Sequence, residues 1–187
     1  MKLPKRILYI IPLLFLLSLS TAFAGKDPNM LKAGVSYIWL SEYDSQGLMF
    51  NNRFSHHVSD RFAVGLNMGL AAGSRFDDVK EIYSIKNTFY MANLEASFDV
   101  LNNESVAFRI GGGVGARHRA EINSNADDGT VDGSVKHIKT SEVGYNGFIE
   151  NDFNILRNGV AGGRVGYFAY TKGTPVFSIG LHIGFKF

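Results

Sequence analysis

The stretch Tyr90-Met91-Ala92-Asn93-Leu94-Glu95-Ala96-Ser97-Phe98-Asp99-Val100 decides how the chain folds. Its even positions, Tyr90, Ala92, Leu94, Ala96, Phe98 and Val100, are apolar, whereas the odd positions Asn93, Glu95, Ser97 and Asp99 are polar. Successive side chains of a β-strand point to opposite faces, so a period of two puts each set on its own face. The neighbouring segments repeat the pattern. Phe62, Val64, Leu66, Met68 and Leu70 alternate with Ala63, Gly65, Asn67 and Gly69. Val106, Phe108, Ile110, Val114 and Ala116 alternate with Ala107, Arg109, Gly111, Gly113, Gly115 and Arg117. Phe177, Ile179, Leu181, Ile183, Phe185 and Phe187 alternate with Ser178, Gly180, His182, Gly184 and Lys186. Weaker alternation over residues 31–40, 47–54, 142–153 and 160–170 brings the expected strands to eight.

Between these segments, 55–60, 101–105 and 154–159 are short turn-forming stretches, and 41–46, 71–86, 117–140 and 171–174 are more variable. Counted from the side of the N-terminus, the two long connections both fall at the opposite end. Short turns at one end, long loops at the other and an even number of strands of about ten residues are the pattern of a bacterial outer-membrane barrel. A soluble sandwich or lipocalin-like barrel instead turns its apolar side chains inward and keeps a wet exterior. Here the alternate positions are mostly glycine, alanine and serine with scattered charges, which suits a crowded lumen better than a solvated surface. Aromatic residues also sort by end, with Tyr37, Trp39, Tyr90, Tyr145 and Tyr167 toward the long loops. Phe54, Phe62, Phe98, Phe108, Phe153, Phe185 and Phe187 lie toward the short turns, as the girdles of a membrane barrel would. The expected fold is therefore all-β, an eight-stranded antiparallel up-and-down transmembrane β-barrel with short periplasmic turns and longer extracellular loops.

The composition agrees. The 187 residues are 45% hydrophobic, 13% aromatic and 19% charged, too apolar for a disordered chain, and contain no cysteine. A disulfide framework, a thiolate metal site and a cysteine nucleophile are thereby excluded. Lys2, Lys5 and Arg6 precede an apolar core over 7–17, and Ala22-Phe23-Ala24 is a small-x-small cleavage site. That core is short of the roughly 20 residues a membrane helix needs, so residues 1–24 are expected to be a cleaved secretory signal and 25–187 the barrel domain. Removing 1–24 takes three of the 19 basic residues and none of the 17 acidic ones, which leaves a formal charge of −1. No basic patch then points to nucleic acid.

On this signal, these strands and the ending Gly180-Leu181-His182-Ile183-Gly184-Phe185-Lys186-Phe187, residues 31–187 resemble the small eight-stranded outer-membrane proteins of the OmpA/OmpX type. The resemblance implies an outer-membrane location, contact with outer-membrane lipid and lipopolysaccharide, and a monomer. It implies that Phe185 and Phe187 form the terminal signal read by the barrel-assembly machinery. No room follows Phe187 for the peptidoglycan-binding domain of longer relatives, so cell-wall anchoring is not expected. Some eight-stranded outer-membrane barrels deacylate or palmitoylate lipid A with a histidine near the outer rim. In the deacylases a histidine and a serine stand two apart on the seventh strand, and Val165-Gly166-Tyr167-Phe168-Ala169-Tyr170 has neither. No catalytic residue is expected.

The expected lumen holds Arg53, Arg109, Arg117, Arg164 and Lys186 against Glu95, Asp99, Glu142, Glu150 and Asp152, with His182 and several asparagines among them. An unpaired charge in a low-dielectric interior is costly, so these groups should pair across the barrel. They are expected to plug it, the alternative being a gated pathway through space left by lumenal glycines. Eight strands give an interior just wide enough for side chains to fill. Any binding is expected in exposed loops, at Arg119, Glu121, Asp127, Asp128, Asp132 and Lys136 and over 75–86. Asn123, Asn125, Asp127, Asp128 and Asp132 resemble a calcium loop, but Asp128 stands where glycine is needed and Ser134 where glutamate is. Gly111-Gly112-Gly113 lies within a strand with no helix after it, which rules out a phosphate cradle. No metal or cofactor is expected.

Overall fold

A computed structural model describes residues 28–40, 45–77, 82–103, 105–123, 136–173 and 175–187. The expected signal segment and Asp127, Asp128 and Asp132 lie outside them. Eight strands follow in chain order: β1 (Asn29–Leu40), β2 (Ser45–His57), β3 (Phe62–Asp77), β4 (Ile82–Asn102), β5 (Val106–Asn123), β6 (Lys136–Asn154), β7 (Gly159–Tyr170) and β8 (Val176–Lys186). Each pairs antiparallel with its chain neighbour, and β8 returns to β1, from Met30↔Lys186 to Leu40↔Val176. Closure removes the free edges of the barrel wall that would otherwise template aggregation. Among the described residues no helix is long and apolar enough to cross a membrane, which says nothing of strands.

The alternation read from the sequence sorts the side chains inside out. Leu94, Val114, Tyr145 and Leu181 face outward and are more than 60% exposed, while Glu95, Asp99, Arg109 and Arg117 face inward and are at most 6% exposed. A contiguous apolar belt of this kind around a whole molecule is a lipid-facing surface.

Two expectations about the connections and the lumen are corrected. β3, β4, β5 and β6 are 16, 21, 18 and 19 residues long, against 11 to 13 for the other four. Much of 71–86 and 117–140 is therefore strand rather than loop. The register runs on from Arg117↔Glu142 to Asn123↔Lys136 without a break. A strand needs only about 9–11 residues to cross the hydrocarbon, so these four rise well beyond it. There the outward positions mix polar with apolar residues, as in His118, Ala120 and Ile122, and the contrast that reveals a strand in the sequence fades.

The interior is layered. Toward the short turns it is charged. Toward the long loops comes an apolar ring of Ile38, Leu40, Met49, Ala71, Phe89, Met91, Phe168 and Val176, with Tyr170 against it. A second charged group lies beyond that. The sequence predicts a lumen polar throughout, and this ring is the second departure from that reading.

Candidate functional site

The lower charged layer is built around Glu150 on β6. Lys32 on β1 donates through Nζ to Glu150 Oε1 at 2.5 Å and to Asp152 Oδ2 at 2.5 Å. Arg109 on β5 donates through Nε to Asp99 Oδ1 at 2.6 Å and through Nη1 to Glu150 Oε1 at 3.1 Å, and it also reaches Asp152. Arg53 on β2 pairs with Glu150 Oε2, and Arg164 Nη1 on β7 lies 3.7 Å from that same oxygen. His182 on β8 donates from Nε2 to Asp152 Oδ1 at 2.6 Å. His57, at the short-turn rim, approaches Asp99 at 3.6 Å.

Glu95 forms the next level. Its Oε1 accepts from Arg164 Nη2 at 2.7 Å, Asn146 Nδ2 at 2.7 Å and Asn67 Nδ2 at 3.0 Å. The Arg164 guanidinium also lies 3.6 Å from the Phe148 ring centroid. A cation stacked on an aromatic face and bonded to a carboxylate is held from two sides. The space left among Arg53, Glu95, Arg109 and Glu150 is a cavity of about 20 Å³, about the room of one water.

Above the apolar ring, Arg117 donates through Nε to Glu142 Oε2 at 2.9 Å and through Nη2 to the Lys172 carbonyl at 3.4 Å. Its guanidinium carbon lies 4.1 Å from the Tyr170 ring centroid. Arg119 donates to Glu121 Oε2 at 2.7 Å and lies 3.5 Å from Glu142 Oε1. The β7–β8 connection closes over this pair at Gly173, whose φ of 74° suits glycine and where a Cβ would lie 2.5 Å from Arg119 Nη2.

Among the described residues, six buried cations (Lys32, Arg53, Arg109, Arg117, Arg119, Arg164) thus face six buried carboxylates (Glu95, Asp99, Glu121, Glu142, Glu150, Asp152). Most of these ion pairs join different strands, and those to Lys32 and Arg53 bring together strands that meet only in the closed barrel.

The chain has no match among family models and none among curated protein sequences. Solved structures do match it. Ail, the attachment invasion locus protein of Yersinia pestis, is 15% identical over 88% of this chain and 100% of that one, with a TM-score of 0.55. Neisserial surface protein A is 11% identical over 85% and 96%, with a TM-score of 0.59. A major outer membrane protein of Thermus thermophilus is 11% identical over 85% and 99%, also at 0.59. The fold is that of the small eight-stranded outer-membrane barrels.

Within this fold, Arg53, Glu95, Asp99, Arg109, Arg117, Glu142, Glu150, Asp152, Arg164 and His182 are brought together inside the barrel in the two layers. Lys186 stands apart at the rim, donating to Asn154 Oδ1 at 2.9 Å. Arg119 and Glu121, expected in an exposed loop, are instead buried on the inner face of β5. They continue the odd-numbered face of Arg109 and Arg117, and the alternation of His118, Ala120 and Ile122 on the other face is the signal for it. Lys136 opens β6 opposite Asn123. Phe185 and Phe187 end the chain on the outward face, with ring centroids 5.5 Å apart.

Sequence reasoning misses Lys32. It shares a face with Ser36, but the apolar residues on both sides of β1 hide the parity. Glu150, Asp152 and His182 offer three metal-type donor atoms within 4.8 Å of one another. Lys32 Nζ already bridges the two carboxylates there, which gives the trio the counter-charge a metal would bring.

The extended strands carry the other candidate surface. Residues 136–143 of β6 pair with β5, whereas pairing with β7 begins only at Gly144↔Tyr170, so this part of β6 is a sheet edge among the described residues. The register aligns Tyr90, His118 and Ser141, then Thr88, Ala120 and Lys139, then Lys86, Ile122 and His137 on the outward face. Two lysines and two histidines thus stand at and directly beyond the tyrosine level, and no carboxylate occupies these rows.

Proposed function

We propose that the protein is a non-enzymatic, integral outer-membrane barrel, closed by its own side chains, whose projecting β4–β6 face binds anionic glycans at the cell exterior. The observation that carries this reading is the registered set Lys86, His118, His137 and Lys139, set at and just past the edge of the apolar belt on strands paired there without a break in register. Sulfated or phosphorylated sugars, lipopolysaccharide included, fit such a face. Lys139 on the sheet edge serves a second purpose, since charge on an edge discourages strand-to-strand aggregation.

Closure is supported by the apolar ring between two charge-paired layers and by an interior cavity the size of one water. Reconstituted in a planar bilayer, the protein is expected to give no steady single-channel current. Charge-selective conductance would overturn the plug and make transport the function.

Binding is tested with sucrose octasulfate, a heparin analogue with which a structure of Ail has been solved. The protein in lipid nanodiscs should bind it, and binding should fall as salt rises, because exposed charges are screened within about 8 Å at physiological ionic strength. The double variant Lys86→Glu, Lys139→Glu should weaken it about tenfold, the sum of modest surface contributions. Binding unchanged by the double reversal, or insensitive to salt, would rule the face out.

A further inference from the structure

We infer that a groove beside the β6–β7 turn seats one anionic glycerophospholipid of the membrane leaflet at the short-turn end, with its phosphate on Arg157 and an acyl chain along the wall. The inference rests on the membrane reading above but concerns the opposite rim.

The groove is about 1130 Å³, floored by Leu31, Ala33, Ile183 and Phe185 and walled by Ile155 and Leu156. That exceeds the roughly 300–1,000 Å³ of ordinary small-ligand pockets. Ala33 makes the depression, because its neighbours on the outward face of β1 are Leu31 and Val35.

The turn that walls it is fixed in place. The Lys186 N–H donates to the Asn158 carbonyl at 2.8 Å, and Asn158 Nδ2 donates to the Lys186 carbonyl at 3.2 Å. Ile155 N–H donates to the Gly159 carbonyl at 3.1 Å. Asn158 therefore staples the turn to the end of β8, and Leu156 and Arg157 are held next to Phe185.

Three features identify the occupant. Ile155 and Leu156 are 57% and 73% exposed at a turn tip, an arrangement that is costly in water and favourable at acyl-chain depth. Arg157 lines the same groove, is exposed, and has no carboxylate partner among the described residues. Its stem can lie along apolar surface while the guanidinium meets a phosphate. Asn52 lines the groove on the outward face between Phe50 and Phe54. A polar amide facing hydrocarbon is costly without a hydrogen-bond partner, and the ester oxygens of a glycerolipid supply one. A free phosphate would leave the apolar wall unused.

The test is native mass spectrometry of the folded protein released from detergent micelles containing phosphatidylglycerol. The expected result is one retained lipid per monomer. Arg157→Gln should cut the retained fraction about tenfold, and Ala33→Trp, which fills the floor from the lipid side, should abolish retention. Lys172→Gln, at the opposite rim, should retain lipid like the parent. Equal retention by Arg157→Gln, equal loss in Lys172→Gln, or a protein dimer in place of the lipid adduct overturns the site. The same samples are scored for insertion into vesicles and for heat-dependent migration in SDS. Normal insertion without a lipid adduct sinks the groove alone, whereas failure of the parent to insert sinks the membrane reading.

Discussion

Replacing Glu150 by glutamine is expected to destabilise the barrel by about 3–5 kcal/mol, the cost typical of removing one partner from a buried ion pair. Glu150 is only 3% exposed and meets Lys32, Arg53, Arg109 and Arg164. Their losses are unequal. Lys32 keeps Asp152, Arg109 keeps Asp99 and Asp152, and Arg164 keeps Glu95. Arg53 has no other ion pair among those of the described residues, so it is left charged and buried. Removing it as well, in Arg53→Met with Glu150→Gln, should recover part of the loss, because an apolar replacement of a whole buried pair is often close to neutral. The measurement is the urea midpoint of the protein in phospholipid vesicles, taken for both single variants and the double. A double variant less stable than Glu150→Gln would show that Arg53 does not depend on Glu150. An unchanged midpoint in Glu150→Gln would remove the network from the barrel's stability.

The second large effect is at Gly113 on β5. A Cβ there would run into the Leu94 carbonyl oxygen and lie 2.9 Å from the Glu95 Cα. Both are backbone atoms of β4, so no side-chain rotation can relieve the clash, and only separating β4 from β5 would. Gly113→Val is therefore expected to prevent the folded barrel altogether, seen as loss of the fast-migrating band in unheated SDS gels. Gly147→Ala is the control, since its nearest neighbour would be the Gly111 carbonyl at 4.0 Å. It should change stability by less than about 0.5 kcal/mol. If Gly113→Val folds as readily as Gly147→Ala, the close approach of β4 and β5 is wrong.

The wall of the barrel is readable because lipid on one side and charge on the other give each strand two contrasting faces. Phe98 against Asp99 or Ile110 against Arg109 leaves little choice of register. Legibility fails where the contrast does. In Tyr37-Ile38-Trp39-Leu40 and Tyr167-Phe168-Ala169-Tyr170 both faces are apolar, so Ile38, Leu40 and Phe168 give no hint that they line an interior ring. In Arg119-Ala120-Glu121 the outer face no longer meets hydrocarbon, and a buried ion pair reads as loop. The pairing of charges across the lumen is not readable. Lys32 and Asp152 are 120 residues apart, and which residues meet across a barrel depends on strand tilt and stagger rather than on neighbours in the chain.

That separation has a bearing on how the molecule is built. The groups around Glu150 come from β1, β2, β5 and β7, and Lys32, on the strand made first, reaches its acids only once β6 has been made and the sheet has curled round. A half-finished sheet therefore carries carboxylates without their lysine and a lysine without its carboxylates, both facing what must become a dry interior. Such an intermediate is poorly suited to leave the aqueous side, so entry into the membrane and meeting of the first and last strands should occur as one event. The charges inside the finished barrel should therefore favour entry of the closed barrel over entry of a part-built sheet.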